Sequence, residues 1–193
     1  MMEQIGPGLR ITLILTVLTG LLYPGLVTGL CQVLFPHQAN GSMIENGGKT
    51  VGSSLIGQAF TRPEYFHSRP SAAGDKGYDA TASGGSNLGP TSQKLIDRVK
   101  ASAADFHKDN PDFSGNIPAD AVTASASGLD PDISPAAAEA QVTRISQARS
   151  AAPEQIRQLI RENTAERALG ILGEPAVHVL MLNLALDRQF PRK

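Results

Sequence analysis

The sequence predicts an α+β protein: one N-terminal transmembrane helix followed by a single mixed α/β domain with long Gly/Ser-rich loops. Three observations predict it. Ile11–Phe35 has no charged side chain and lies between Arg10 and Pro36-His37. Beyond it, short apolar runs of helical and of strand character alternate with Gly- and Pro-rich breaks. The one cysteine, Cys31, falls inside the apolar run, so the domain has no thiol, which suits an oxidising compartment.

As a helix, the apolar run is roughly 37 Å long at 1.5 Å per residue, enough to cross a hydrocarbon core with some tilt. A cleaved signal peptide has a shorter apolar core of about 7–15 residues and a small-residue cleavage site. Phe35-Pro36-His37 offers no such site, and Leu30 before Cys31 does not fit a lipoprotein anchor. The expectation is a retained span over 11–35, after a short cytoplasmic tail at 1–10. A linker at 36–48 and one domain at 49–193 follow.

Within the span, Thr12, Thr16, Gly20, Pro24 and Thr28 recur every four residues, and Gly25 and Gly29 form a GxxxG pair. Small residues on such ridges let another helix backbone come close, where dispersion holds helices together in lipid. Thr12, Thr16, Gly20, Gly25 and Gly29 are therefore the candidate membrane-helix packing residues. Pro24 has no amide to offer the Gly20 carbonyl, which predicts a kink near Tyr23-Pro24-Gly25. Arg10 stands before the span and Lys49 is the first Lys or Arg after Phe35, which leans towards a cytoplasmic N-terminus.

The chain has 17 Lys+Arg against 18 Asp+Glu, a balance that argues against nucleic-acid binding. Aromatics make up 5% with no Trp, so the domain is expected to have a modest core under long loops. Residues 50–58 read as a weak strand and Arg62–Pro70 as a Pro-bounded aromatic and basic loop. Tyr78–Pro90 is an irregular Gly/Ser loop of the kind that is usually functional or disordered. Thr91 caps a helix to about Lys108, with Leu95, Ile96, Val99, Ala103 and Phe106 on one face. Residues 117–124 read as a short strand. Ser134-Pro135 opens an Ala-rich helix to about Ala148, and Pro153 opens another with Ile156, Leu159 and Ile160 inward. After the turn at Gly173-Glu174-Pro175 comes a strand over 176–180. The apolar run 181–187 is open to either helix or strand.

No strong catalytic constellation appears. His37, His67, His107 and His178 are far apart and no pair has helical metal-ligand spacing. There is no G-x-S-x-G elbow or S-x-x-K pair, and Gly84–Gly89 lacks the ending of a phosphate-binding loop. Asp75-Lys76-Gly77 starts like the phosphorylated motif of P-type ATPases but stops there. Thr50-Val51-Gly52 starts like a potassium filter and lacks Tyr-Gly. The Ser-rich loops and His67 keep a membrane-anchored extracytoplasmic hydrolase as the enzyme-class alternative, and a free-standing binding module is a third class.

One set of blocks carries a resemblance. It comprises Gly57–Phe60 with Tyr65–Ala72, Tyr78-Asp79, Ser83–Pro90 and Thr123–Pro131. It continues through Ile133-Ser134, Ala138, Gln141 and Arg144, and closes with Gly173–Pro175 and Leu182–Asp187. In this order they resemble the C subunit of the bacterial Kdp-type potassium-transporting ATPase over nearly the whole chain. His178 stands where that family usually has Asn.

The resemblance implies an accessory subunit of a pump, neither pore nor phosphorylated, with its C-terminal domain outside the cytoplasm of the bacterial inner membrane. Its implied partners are a channel-like potassium subunit, a P-type ATPase subunit, a small single-span subunit and the lipid bilayer. The family is also described as raising the pump's ATP affinity, with a glutamine matching Gln141 proposed to touch nucleotide. ATP is cytoplasmic, so such a contact sits badly with the implied topology, and the other reading has Gln141 bonding a neighbouring loop. No cofactor beyond ATP is implied. Tyr65, Phe66, His67 and Arg69, with Ser86 and Asn87, lie on loops that either dock on the channel-like subunit or pack internally.

Overall fold

A computed structural model describes residues 2–191, and the chain divides into a first unit ending at Val51 and a second beginning at Gly52. In the first unit, α1 (Ile5–Val17) and α2 (Tyr23–Leu34) are joined by one wide π turn, Leu18–Leu22, into a continuous helix. The helix starts before Arg10, taking in part of the expected tail. Its mean hydropathy reaches 1.9 and none of that window is buried within the chain, so it is long and apolar enough to cross a membrane. The π turn answers the missing amide of Pro24: the Tyr23 N–H reaches back to the Leu18 carbonyl, just ahead of the expected kink.

The stretch expected as a linker is ordered instead. It forms α3 (Pro36–Ala39) and β1 (Met43–Asn46), and β1 pairs with β2 (Lys49–Ser53). Gly47 and Gly48 between them take φ of +60° and +75°, the left-handed pair that a two-residue hairpin needs. The hairpin is largely exposed, so no apolar alternation marks it in the sequence. β2 also ends at Ser53, well short of the expected 58.

The second unit holds α4 (Gln93–Asp109), α5 (Ala119–Val122), β3 (Asp132–Ile133), α6 (Pro135–Glu139) and α7 (Val142–Arg149). It closes with α8 (Pro153–Glu162), β4 (Thr164–Ala165), β5 (Ala176–His178) and α9 (Val179–Gln189). β5 is the middle of a three-stranded antiparallel sheet, pairing Val177 with Ile133 on one side and with Thr164 on the other. The core gathers α6 to α9 around the sheet, with Phe66, Ile145, Ile156, Leu182 and Val177 completely buried. α8 buries Ile156, Leu159 and Ile160 as their i, i+3, i+4 spacing predicts, at about 1.5–3 kcal/mol for each side chain removed from water.

Several elements depart from expectation. α4 takes Ser92 rather than Thr91 as its N-cap residue, and Ile96 stays 39% exposed, so Phe106 is the only residue this helix buries. The expected strand at 117–124 is the helical turn α5, because Pro118 presets the backbone at its start. The Ala-rich helix is two helices, α6 and α7, broken at Ala140-Gln141 where the Gln141 N–H bonds to Ala138. The run left open at 181–187 is helical, and the strand before it ends at His178 instead of Leu180. β3 and β4 have two residues each, too few to show a period.

Gly128 lies at φ +69°, where an added Cβ would sit 2.6 Å from the Gly84 carbonyl oxygen and 2.7 Å from the Ala73 nitrogen. Neither backbone can yield. Gly128→Ala is expected to cost about 3 kcal/mol or more, read from the urea midpoint of the purified protein. Gly84→Ala, whose new methyl meets open space, leaves the midpoint unmoved.

Candidate functional site

The loop 62–71 runs without regular structure, yet Tyr65 and Phe66 are buried, so its peptide groups need partners that no strand supplies. Two side-chain amides supply them. Asn183 on α9 accepts from the Phe66 N–H at 2.9 Å and donates to the Phe66 carbonyl at 3.0 Å. Gln141, at the α6–α7 break, accepts from the His67 N–H at 2.7 Å and donates to the His67 carbonyl at 3.2 Å. Each amide offers one loop residue what the peptide of a neighbouring strand would offer.

Two arginines on α7 complete the strap. Arg144 donates to the carbonyls of Pro63 and Tyr65, to Asn110 Oδ1 at 3.0 Å and to Gln141 Oε1 at 2.7 Å. Burial lowers its pKa to about 10, so it remains charged at neutral pH. Arg149 donates to the Glu64 and Phe190 carbonyls and pairs with Asp187 at 2.8 Å. Its guanidinium lies 5.0 Å from the centre of the Tyr65 ring, whose hydroxyl donates to the same Asp187 carboxylate at 2.7 Å.

Gln141 is thereby saturated. Its oxygen accepts from His67 and Arg144, and its nitrogen donates to His67 and to the Ala137 carbonyl at 3.1 Å. These are the two acceptor and two donor capacities of a carboxamide.

The loop continues over the turn that carries Gly128. Arg69 pairs with Asp130 at 2.7 Å, and the Ser71 hydroxyl donates to the Gly128 carbonyl while accepting from the Ala73 and Tyr78 amides. Tyr78 is held at φ +54°, its hydroxyl donating to the Arg69 carbonyl at 2.8 Å. Burial raises its pKa. Ser86 is half-buried and Asn87 exposed at φ +50°, in a loop tied to the same turn by the Gly84–Ser127 backbone bond.

Between α4, the loop and α6 lies a cavity of about 260 Å³ whose lining includes His67, Arg69, Asp105, Phe106 and Asp109. Both ring nitrogens of His67 are engaged, Nε2 by the Arg62 carbonyl at 3.0 Å and Nδ1 facing Asp109 at 3.4 Å. Among the described residues no serine hydroxyl bonds this ring, and no group of three His, Cys, Asp or Glu is placed to hold a metal. Burial first, then the Arg144 guanidinium, hold the His67 pKa below its ordinary 6.5, against the pull of the Arg62 carbonyl and Asp109.

His178 has a plain role. Its Nδ1 accepts from the Met181 N–H at 3.3 Å, capping α9, and its Nε2 donates to the Ser54 carbonyl at 3.1 Å. Asn is a favoured N-cap residue, and the imidazole lone pair does the same work here.

Of the residues singled out in the sequence, Gln141, Tyr65, Phe66 and His67 come together, with Arg69 beside them. Ser86 and Asn87 stand apart, and Thr12, Thr16, Gly20, Gly25 and Gly29 belong to the helix of the first unit. Cβ atoms at Gly25 and Gly29 would meet nothing within 4 Å. Sequence reasoning missed Asn183 and Arg149 as members of the strap. Asn183 was the findable one, a lone amide inside an apolar run.

An exposed apolar helix long enough to cross a membrane, ahead of an α+β domain, is compatible with a single-pass membrane protein. The chain belongs to the family described as the K+-transporting ATPase, c chain, whose profile matches residues 5–188. It is 57% identical over 187 residues to the potassium-transporting ATPase KdpC subunit of Gemmatimonas aurantiaca, covering 97% of this chain and 94% of that one. The KdpC subunit of Rhodospirillum rubrum is 55% identical over 191 residues, 99% of this chain and 98% of its own. That of Myxococcus xanthus is 55% identical over 184 residues, 95% and 87%.

The folded His67 binds a proton less readily than the unfolded one, so between the two pKa values the unfolded chain carries more protons. This contribution to stability is present above pH 6.5 and lost as pH falls through the folded value. Urea midpoints measured from about pH 7 to about pH 5 are expected to fall less steeply for His67→Gln than for the parent.

Proposed function

We propose that this chain is an accessory subunit of an ATP-driven potassium uptake pump, itself neither pore nor phosphorylated, anchored by α1–α2 with its domain outside the cytoplasm. The observation that carries the reading, beside family membership, is the bare helix: apolar, 0% buried by its own chain, and lined with small residues. Such a surface is satisfied by lipid and, where the small residues Thr12, Thr16, Gly20, Gly25 and Gly29 permit close approach, by other membrane helices. The partners are a channel-like potassium subunit, a P-type ATPase subunit and a small single-span subunit. The same geometry gives the anchored hydrolase little support, since the ring of His67 is already engaged on both nitrogens.

Purification of the chain from mildly solubilised membranes of cells grown in low potassium tests this. Recovery of a polytopic channel-like protein and a P-type ATPase is expected, and is lost in Gly25→Leu/Gly29→Leu. Recovery of the parent chain alone, as a stable monomer, would sink the reading.

Any effect on ATP affinity is then a coupling carried through the membrane helices, not a nucleotide contact by Gln141, whose amide has no capacity left. Gln141→Ala strands the half-buried peptide groups of His67 and is expected to cost about 2–4 kcal/mol. ATP is expected to leave the melting temperature of the purified parent chain unchanged, since a ligand that bound the folded state would raise it.

A further inference from the structure

Among the described residues of the second unit, the hairpin between β4 and β5 is where several large aliphatic side chains face solvent together. Leu169 is 88% exposed, Ile171 75% and Leu172 58%. Every residue from 165 to 174 is exposed. The tip is nonetheless built: Ala168 and Leu172 form a β-bridge, closed by backbone bonds of 2.8 and 2.9 Å between them, and the Arg167–Glu174 ion pair spans its base at 2.5 Å. Leu169 at its apex has φ +54°, a region in which a branched, bulky side chain is an outlier. Glycine sits beside it at Gly170 and would take the apex position without strain. A leucine held there against its own preference, pointing away from its own core, is a surface feature with a use.

We propose that this tip is a docking knob that inserts into an apolar pocket on another protein subunit of the pump. The proposal rests on the pump reading above. Charge decides between protein and lipid. The base of the knob carries Glu166 and Glu174 against the single Arg167, which is paired with Glu174, so it is net negative and disfavours anionic headgroups. The tip also lacks the aromatic residues that favour the membrane interface. The fitting partner is therefore a pocket with an aliphatic floor and a basic rim facing Glu166, the pattern of a desolvated anchor inside a polar ring.

The test uses the full chain in its native membranes. Leu169→Gly with Ile171→Ser removes the two most exposed side chains and relieves the backbone at 169, so the unfolding transition of the purified chain is expected to hold. Co-purification of the partner subunits in mild detergent is expected to fall about tenfold or more, the loss of an aliphatic anchor pair. Glu166→Lys, which turns the rim repulsive, is expected to weaken recovery in the same direction and to make it recover with salt.

Undiminished recovery of partners by the double variant would overturn the knob while leaving the pump reading intact. Binding of the parent chain's domain face to phosphatidylglycerol-containing vesicles that the double variant loses, with partner recovery unchanged, would overturn it in favour of lipid. Recovery of the parent chain with no partner at all would overturn the pump reading and the knob with it.

Discussion

The second unit depends on one problem and its solution: an irregular loop driven through the core must have its peptide groups bonded. Phe66 is 0% exposed, and two carboxamides, from Gln141 and Asn183, bond the successive peptides on either side of it. A buried peptide left without partners costs about 1–3 kcal/mol for each group, so Phe66 could not enter the core without them. The helix break at Ala140-Gln141 follows from the same need. An unbroken α6–α7 helix would carry position 141 past the loop, whereas the break turns its side chain onto His67 and still lets the amide hold Ala137.

The strap is also an electrostatic device. Arg144 and Arg149 place two guanidiniums against carbonyl oxygens of one short loop, and only Arg149 has a carboxylate partner among the described ion pairs. Arg144 instead faces four oxygen acceptors, all neutral, which is why burial pulls its pKa down. That cost is repaid by carbonyls of residues 63 and 65, neither of which any backbone ladder reaches. The polar side chains of the loop are thus spent on holding the domain together, and the cavity beside them inherits His67 and Arg69 already engaged.

How far this was legible in the sequence depends on whether an element announces itself locally. α8 did, through Pro153 and its i, i+3, i+4 apolar set, and so did the long apolar helix of the first unit. The hairpin at 43–53 did not, since an exposed two-stranded ribbon needs no apolar alternation, although Gly47-Gly48 was the available turn signal. Residues 181–187 were apolar without a clean period because α9 is buried on several sides, Leu180, Leu182, Asn183, Ala185 and Leu186 all lying inside. In the site, Gln141 and the loop were found through family blocks, but what joins them spans 74 residues of sequence and has no local trace. Arg149 joins residues 85 positions away by its bond to Glu64, and nothing around it marks that role.

His178 shows how a departure from a family pattern can be conservative in physics. The helix following β5 begins without a turn, so its first amides need an acceptor from the residue that ends the strand. Asparagine meets that need with a side-chain oxygen. Histidine meets it with Nδ1, which fixes the proton on Nε2 and so supplies a donor that reaches Ser54. The imidazole therefore does two tasks: it starts α9 and ties the segment after β2 to the end of the central strand β5. Because α9 carries Asn183, the cap at 178 acts on the loop as well, since a frayed first turn would loosen the amide that holds Phe66. Substitution at 178 is thus tolerated so long as the acceptor survives, and the chemistry of the side chain matters more than its name.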